Sequence, residues 1–211
     1  MRGLQAVARR RPVRSSRCSS VEAMDHKQVT TPDGSCSLRI AGPDSRHAVL
    51  MLPGLGDPPD LYDGVAERLH NSDLKTVAVE DIAGLDHSAV LAVLDELSLP
   101  WVHLVGTDEG AELAWTLAAR TFGRIASLVV CDRGHPAVAD QNGLVLAADC
   151  PPVELPTTIV VGNSLGRAVA DSSGRLVYGD FRVVQLDGVG KVPADATAEL
   201  ATEIVLRTSP W

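Results

Sequence analysis

Leu104-Val105-Gly106-Thr107-Asp108-Glu109-Gly110 is the stretch that decides the fold. An apolar run from Trp101 to Val105 stops at a glycine. A carboxylate follows, then a second glycine, and Ala111 to Arg120 reads as a helix. The expected layout is strand, sharp turn, helix. Such a turn holds its central residue in a strained backbone conformation, and glycines on either side leave room for strand and helix to approach. Asp108 would then stand at the carboxyl edge of a sheet, where open α/β folds hold their ligands.

Outward from this turn, strands and helices alternate. Ser37–Ile40 reads as a first strand. Ala48–Leu52, Thr76–Val79, Val102–Gly106, Ile125–Cys131, Thr157–Val161 and Phe181–Leu186 are further short apolar strands, several of them continuous enough to be buried on both faces. Leu61, Val65, Arg68 and Leu69 fall at helical spacing, with Asp60 as a candidate cap. Ser88 to Leu97 and Ala194 to Arg207 are also helical in pattern. This order calls for right-handed crossovers and a mostly parallel sheet with helices on both faces. Arg133 to Pro156, rich in Pro, Asp and Gly, reads as a surface excursion too short to be a substantial lid domain.

With 211 residues, 45% of them hydrophobic, the chain can bury a sizeable core. No run approaches the roughly 18 apolar residues that span a bilayer. The net charge of −8 is unevenly spread: residues 1–20 hold six of the 19 basic residues and no acid, leaving 13 basic against 27 acidic. An acidic body argues against a nucleic-acid partner. Residues 1–33 are set apart as a basic head. Within it, Met1 to Ala23 lacks the apolar core of a secretory signal and reads as a disordered tail or as upstream sequence joined to a start at Met24. The folded domain is expected over 34–211. The four cysteines, Cys18, Cys36, Cys131 and Cys150, are widely spaced, which fits the reducing cytoplasm and gives no metal-ligand pattern. Neither Gly54-Leu55-Gly56 nor Gly188-Val189-Gly190-Lys191 has the spacing of a nucleotide-binding loop, so no cofactor and no metal is expected.

From about residue 34 to 211 the chain resembles the α/β-hydrolase family. Leu50-Met51-Leu52-Pro53-Gly54-Leu55-Gly56 is similar to the family's loop after its third strand, where Gly54 and Leu55 would supply oxyanion-binding backbone. Gly106-Thr107-Asp108-Glu109-Gly110 looks like its nucleophile elbow, in the aspartate form of epoxide hydrolases and haloalkane dehalogenases, with the Glu109 backbone as a further oxyanion donor. The resemblance places Leu165 where the family often carries its triad acid and Lys191 where its catalytic histidine stands.

Two functions follow. In the first, Asp108 attacks carbon in an ester, epoxide or halogenated compound and forms an ester, which needs a histidine to activate water. His135, oriented by Asp132, is the candidate base. In the second, the chain is an inactive member that binds a ligand or partner. Lysine at position 191 is protonated at neutral pH unless burial shifts it by several units, and an Asp108–Lys191 ion pair would fill the old site. Either reading implies a small-molecule substrate or ligand, or in the second a partner.

Overall fold

The computed structural model describes residues 24–32 and 34–208. In chain order the elements are β1 (Asp25–Thr31), β2 (Gly34–Ala41), β3 (Ala48–Leu52), α1 (Asp63–His70), β4 (Lys75–Val79), α2 (His87–Glu96), β5 (Val102–Thr107), α3 (Asp108–Arg120), β6 (Ile125–Cys131), β7 (Thr157–Val161), α4 (Arg167–Ser173), β8 (Phe181–Gln185), α5 (Val192–Asp195) and α6 (Thr197–Thr208). The strands form one sheet in the order β1-β2-β4-β3-β5-β6-β7-β8. β2 runs antiparallel to both β1 and β4, and every other neighbouring pair is parallel.

The alternation of side chains along each strand builds two cores. Leu50, Leu52, Leu104, Leu128, Val130 and Ile159 face α2, α3 and α4, where Leu94, Trp115 and Ala170 are buried. Val49, Met51, Val105, Val129 and Val160 face the other layer and meet Val65 and Leu69 of α1 and Leu200 and Ile204 of α6. Because both faces are covered, the central strands read as unbroken apolar runs.

Three features differ from the sequence-based expectation. The sheet begins before residue 34: Asp25–Thr31 pairs along its length with β2, although only Val29 of that strand is buried. An edge strand with one exposed face tolerates this polarity. Asp60 does not cap α1; Tyr62 occupies that position without a side-chain bond, and the Asp60 carbonyl accepts the Asp63 N–H in the preceding turn. Helix α4 lies in a segment with too few large apolar residues to show a stripe. The Arg133–Pro156 excursion holds turns and a single bridge from Val153 to Val177. The basic head from Met1 to Ala23, with Cys18, lies outside the described residues.

Candidate functional site

β5 ends at Thr107 in extended conformation, and Asp108 turns the chain with φ +48 before α3 runs on. The helical hydrogen-bond pattern starts at Asp108, yet its positive φ makes it the bend itself. Few non-glycine residues hold that conformation, and those that do cluster at functional sites. The glycines explain how the bend is reached. A Cβ on Gly106 would lie 2.6 Å from the Gly110 carbonyl oxygen, and one on Gly110 would lie 2.3 Å from the carbonyl oxygens of Leu52 and Pro53.

Lys191 closes over this bend. Its Nζ donates to Asp108 Oδ2 and, at 2.7 Å, to Asp57 Oδ1. Burial pulls the Lys191 pKa down, but the hydrogen bonds it donates to Asp108 and Asp57 outweigh it and hold the ammonium above its ordinary value. Lys191 is therefore a fixed cation. With about a third of each of the Lys191 and Asp108 side chains exposed, this bridge contributes on the order of 1 kcal/mol. Lys191→Met should accordingly lower the urea midpoint only slightly, a shift read by denaturant unfolding; a loss of several kcal/mol would show the pair to be a buried strut instead.

The two amides expected to bind an oxyanion are occupied. Gly54 N–H donates to Asp57 Oδ2 at 2.7 Å, and Leu55 N–H donates to Glu109 Oε2 at 2.8 Å. The Leu55 hydrogen bond is the main cause of a Glu109 pKa below the ordinary carboxylate range. The space over Gly54 is filled: a Cβ there would meet Asp108 Cβ and Asp57 Oδ2 at 3.0 Å and Glu109 Oε2 at 3.1 Å. The Glu109 side chain thus turns inward onto the loop, where the sequence suggested only its backbone. Asp57, not singled out from the sequence, links the loop to Lys191; its one legible signal is a carboxylate three residues after Gly54 in a proline-rich turn.

Asp132 sits at the end of β6, beside β5, also with positive φ (+53). It is 8% exposed and accepts the Gly162 N–H at 2.6 Å. Burial raises its pKa; the Gly162 bond opposes that rise and the charge of Asp108 adds to it. Leu165 is buried, and its backbone, like that of Gly162, favours the charged form of Asp132. The loop after β7 therefore supplies a backbone amide, Gly162 N–H, to this acid. Asp132, Leu165, Arg133 and Gln141 line a cavity of about 200 Å³ beneath the excursion.

His135 is placed differently from the expected base. Its ring is buried against Trp115, with centroids 5.1 Å apart. Nε2 bonds the Pro151 carbonyl at 3.0 Å, and Nδ1 accepts the Ala137 N–H at 3.2 Å. These contacts define a neutral Nε2–H tautomer, and burial lowers its pKa. Both nitrogens are engaged within the excursion, and the Asp132 bond goes to Gly162, so the pair is not assembled as base and orienter. The ring anchors the excursion to α3. Among the described residues no group of three or more His, Cys, Asp or Glu could hold a metal, and no helix is long and apolar enough to cross a membrane.

No family model and no curated protein matches the chain. Solved structures do. An epoxide hydrolase of the α/β-hydrolase superfamily, from hot-environment metagenomes, superposes with a TM-score of 0.75 at 12% identity, covering 90% of this chain and 100% of that one. A bacterial membrane phospholipase A gives 0.73 at 16% identity, covering 88% and 86%. A carboxylesterase from Bacillus subtilis gives 0.72 at 13% identity, covering 88% and 92%. Together with the strand order and the bend at Asp108, these likenesses establish that the chain has the α/β-hydrolase fold, without a large lid among the described residues.

Proposed function

We propose that this α/β-hydrolase-fold protein binds a small organic molecule at the Asp108 edge of the sheet and does not turn over esters, epoxides or alkyl halides by the nucleophile–histidine route. The observation that carries this reading is Lys191 Nζ held between Asp57 and Asp108. An ammonium on the carboxylate withdraws the charge that would attack carbon, and a lysine held protonated cannot take a proton from water to cleave an ester. The engaged nitrogens of His135 support the same conclusion. The free thiols of Cys36, Cys131 and Cys150 fit a reducing compartment such as the cytoplasm.

The strained Asp108 at the elbow favours a second reading, a hydrolase of ester, epoxide or halogenated carbon substrates. Asp108 would be the nucleophile and the Gly54, Leu55 and Glu109 backbones would bind the oxyanion. Lys191 would have to leave Asp108, and His135 and Asp132 would have to re-form as base and orienter. A panel of p-nitrophenyl esters and epoxides separates the two. Wild type and Asp108→Ala should show the same background rate. Turnover by the wild type that disappears in Asp108→Ala would overturn the binding reading.

A further inference from the structure

We propose that Glu109 is an internal gate: its carboxylate occupies the backbone amide of Leu55 as a built-in stand-in for a ligand, and a molecule carrying a carboxylate enters by displacing it. This deepens the ligand-binding reading by naming the ligand's chemistry.

The argument starts from what the amides hold. The loop after β3 offers two N–H groups toward the elbow, and both donate to side-chain carboxylates, Asp57 on Gly54 and Glu109 on Leu55. Charge-assisted bonds of this kind are short and among the stronger hydrogen bonds of a protein. The two carboxylates are not equivalent. Asp57 is three residues from its donor and is fixed a second time by Lys191. Glu109 reaches across from α3, 54 residues away in sequence, and among the described residues Leu55 N–H is its one hydrogen-bonded partner outside its own residue. Asp57 is therefore the fixed wall and Glu109 the movable one.

A displaced Glu109 has somewhere to go. Arg133 is close enough to help keep it charged, while Asp57 repels it. Turning away from the loop relieves that repulsion; the side chain is only partly buried, so solvent can take its charge, while Arg133 stays paired with Glu112 at 3.5 Å. The incoming carboxylate then inherits the Leu55 amide. The gate acts by competition: an acceptor tethered to the same fold has a high effective concentration, so a free carboxylate binds weakly until the tethered one is removed.

The test reads the amide directly. Backbone ¹H–¹⁵N spectra of wild type and Glu109→Ala are titrated with sodium acetate, against sodium chloride at matched ionic strength. Acetate should shift the Leu55 amide of Glu109→Ala saturably, with an affinity at least about tenfold above that of the wild type. Chloride should not reproduce the shift. Glu109→Gln keeps an acceptor over Leu55 and should stay closed to acetate, which separates the gate from a general change in charge. Equal acetate response in wild type and Glu109→Ala, or none at Leu55 in Glu109→Ala, overturns the proposal. The substrate panel reports separately. Asp108-dependent turnover would remove the non-hydrolytic reading and leave the gate standing, whereas a silent Leu55 amide would remove the gate alone.

Discussion

Gly110→Ala is expected to keep the chain from reaching its native fold. The added methyl would lie 2.3 Å from two backbone carbonyl oxygens, those of Leu52 and Pro53, and 2.6 Å from the Leu52 carbonyl carbon. No rotamer change relieves a clash with backbone, so α3 or the end of β3 must move. Overpacking costs about 1–3 kcal/mol where side chains can yield. Here the cost should exceed that range, a large share of a typical domain's stability. Gly56→Ala is the control. Gly56 has φ +75 and open space around its Cβ position, so its penalty is the left-handed backbone alone, about 1–2 kcal/mol. Urea unfolding of the two variants, or the soluble yield of Gly110→Ala, makes the comparison. A Gly110→Ala protein within about 1 kcal/mol of wild type would mean that the elbow is looser than described.

The same glycine spacing made the fold legible. Gly106 and Gly110 bracket the bend because strand and helix cannot approach otherwise, and the apolar runs of β3, β5, β6 and β7 are continuous because helices cover both their faces. What was not legible had weak burial. β1 buries only Val29, so its Asp, His, Lys and Gln residues read as part of a polar head. α4 buries only Ala170 and Ser173, too little for a periodic signal.

The site divides in the same way. The Asp108–Lys191 contact follows from where two motifs sit at the ends of a parallel sheet, which topology fixes. The Glu109 and Asp57 bonds depend on rotamers and on a loop 54 residues from α3, and no local pattern encodes them. His135 shows the converse. A histidine three residues after a strand-end acid suggests a base, but its surroundings are set by Trp115 and by Pro151, which approach only in the folded chain.

Lowering the pH should strip stability from the protein through His103, at the other end of β5 from the elbow. His103 is 6% exposed, its Nδ1 bonds Ser127 Oγ at 2.8 Å, and its Nε2 is buried without a partner. His47 stacks on it at 6.3 Å, and the Trp101 ring meets it edge-on at 5.5 Å. Protonation would place an unpaired N–H and a charge in this setting. Burial, and secondarily His47, therefore lower the pKa from 6.5 to about 4. The sign follows from proton uptake. Above pH 6.5 both states hold the ring neutral and the full stability is present. Between 6.5 and about 4 the unfolded chain takes up a proton that the folded chain refuses, so stability falls as pH falls. At about 1.4 kcal/mol per unit the loss reaches about 3 kcal/mol. His103→Gln retains a hydrogen-bonding side chain toward Ser127 and cannot titrate. Urea unfolding between pH 7 and about 4 should show a flatter acid limb for the variant, by most of that difference. Other groups titrate in the same window, Asp132 among them with the opposite sign, so the difference between wild type and variant is the quantity to read. Parallel acid limbs would show that the ring finds a partner or water when it is protonated, and that its burial does not govern the acid stability of the fold.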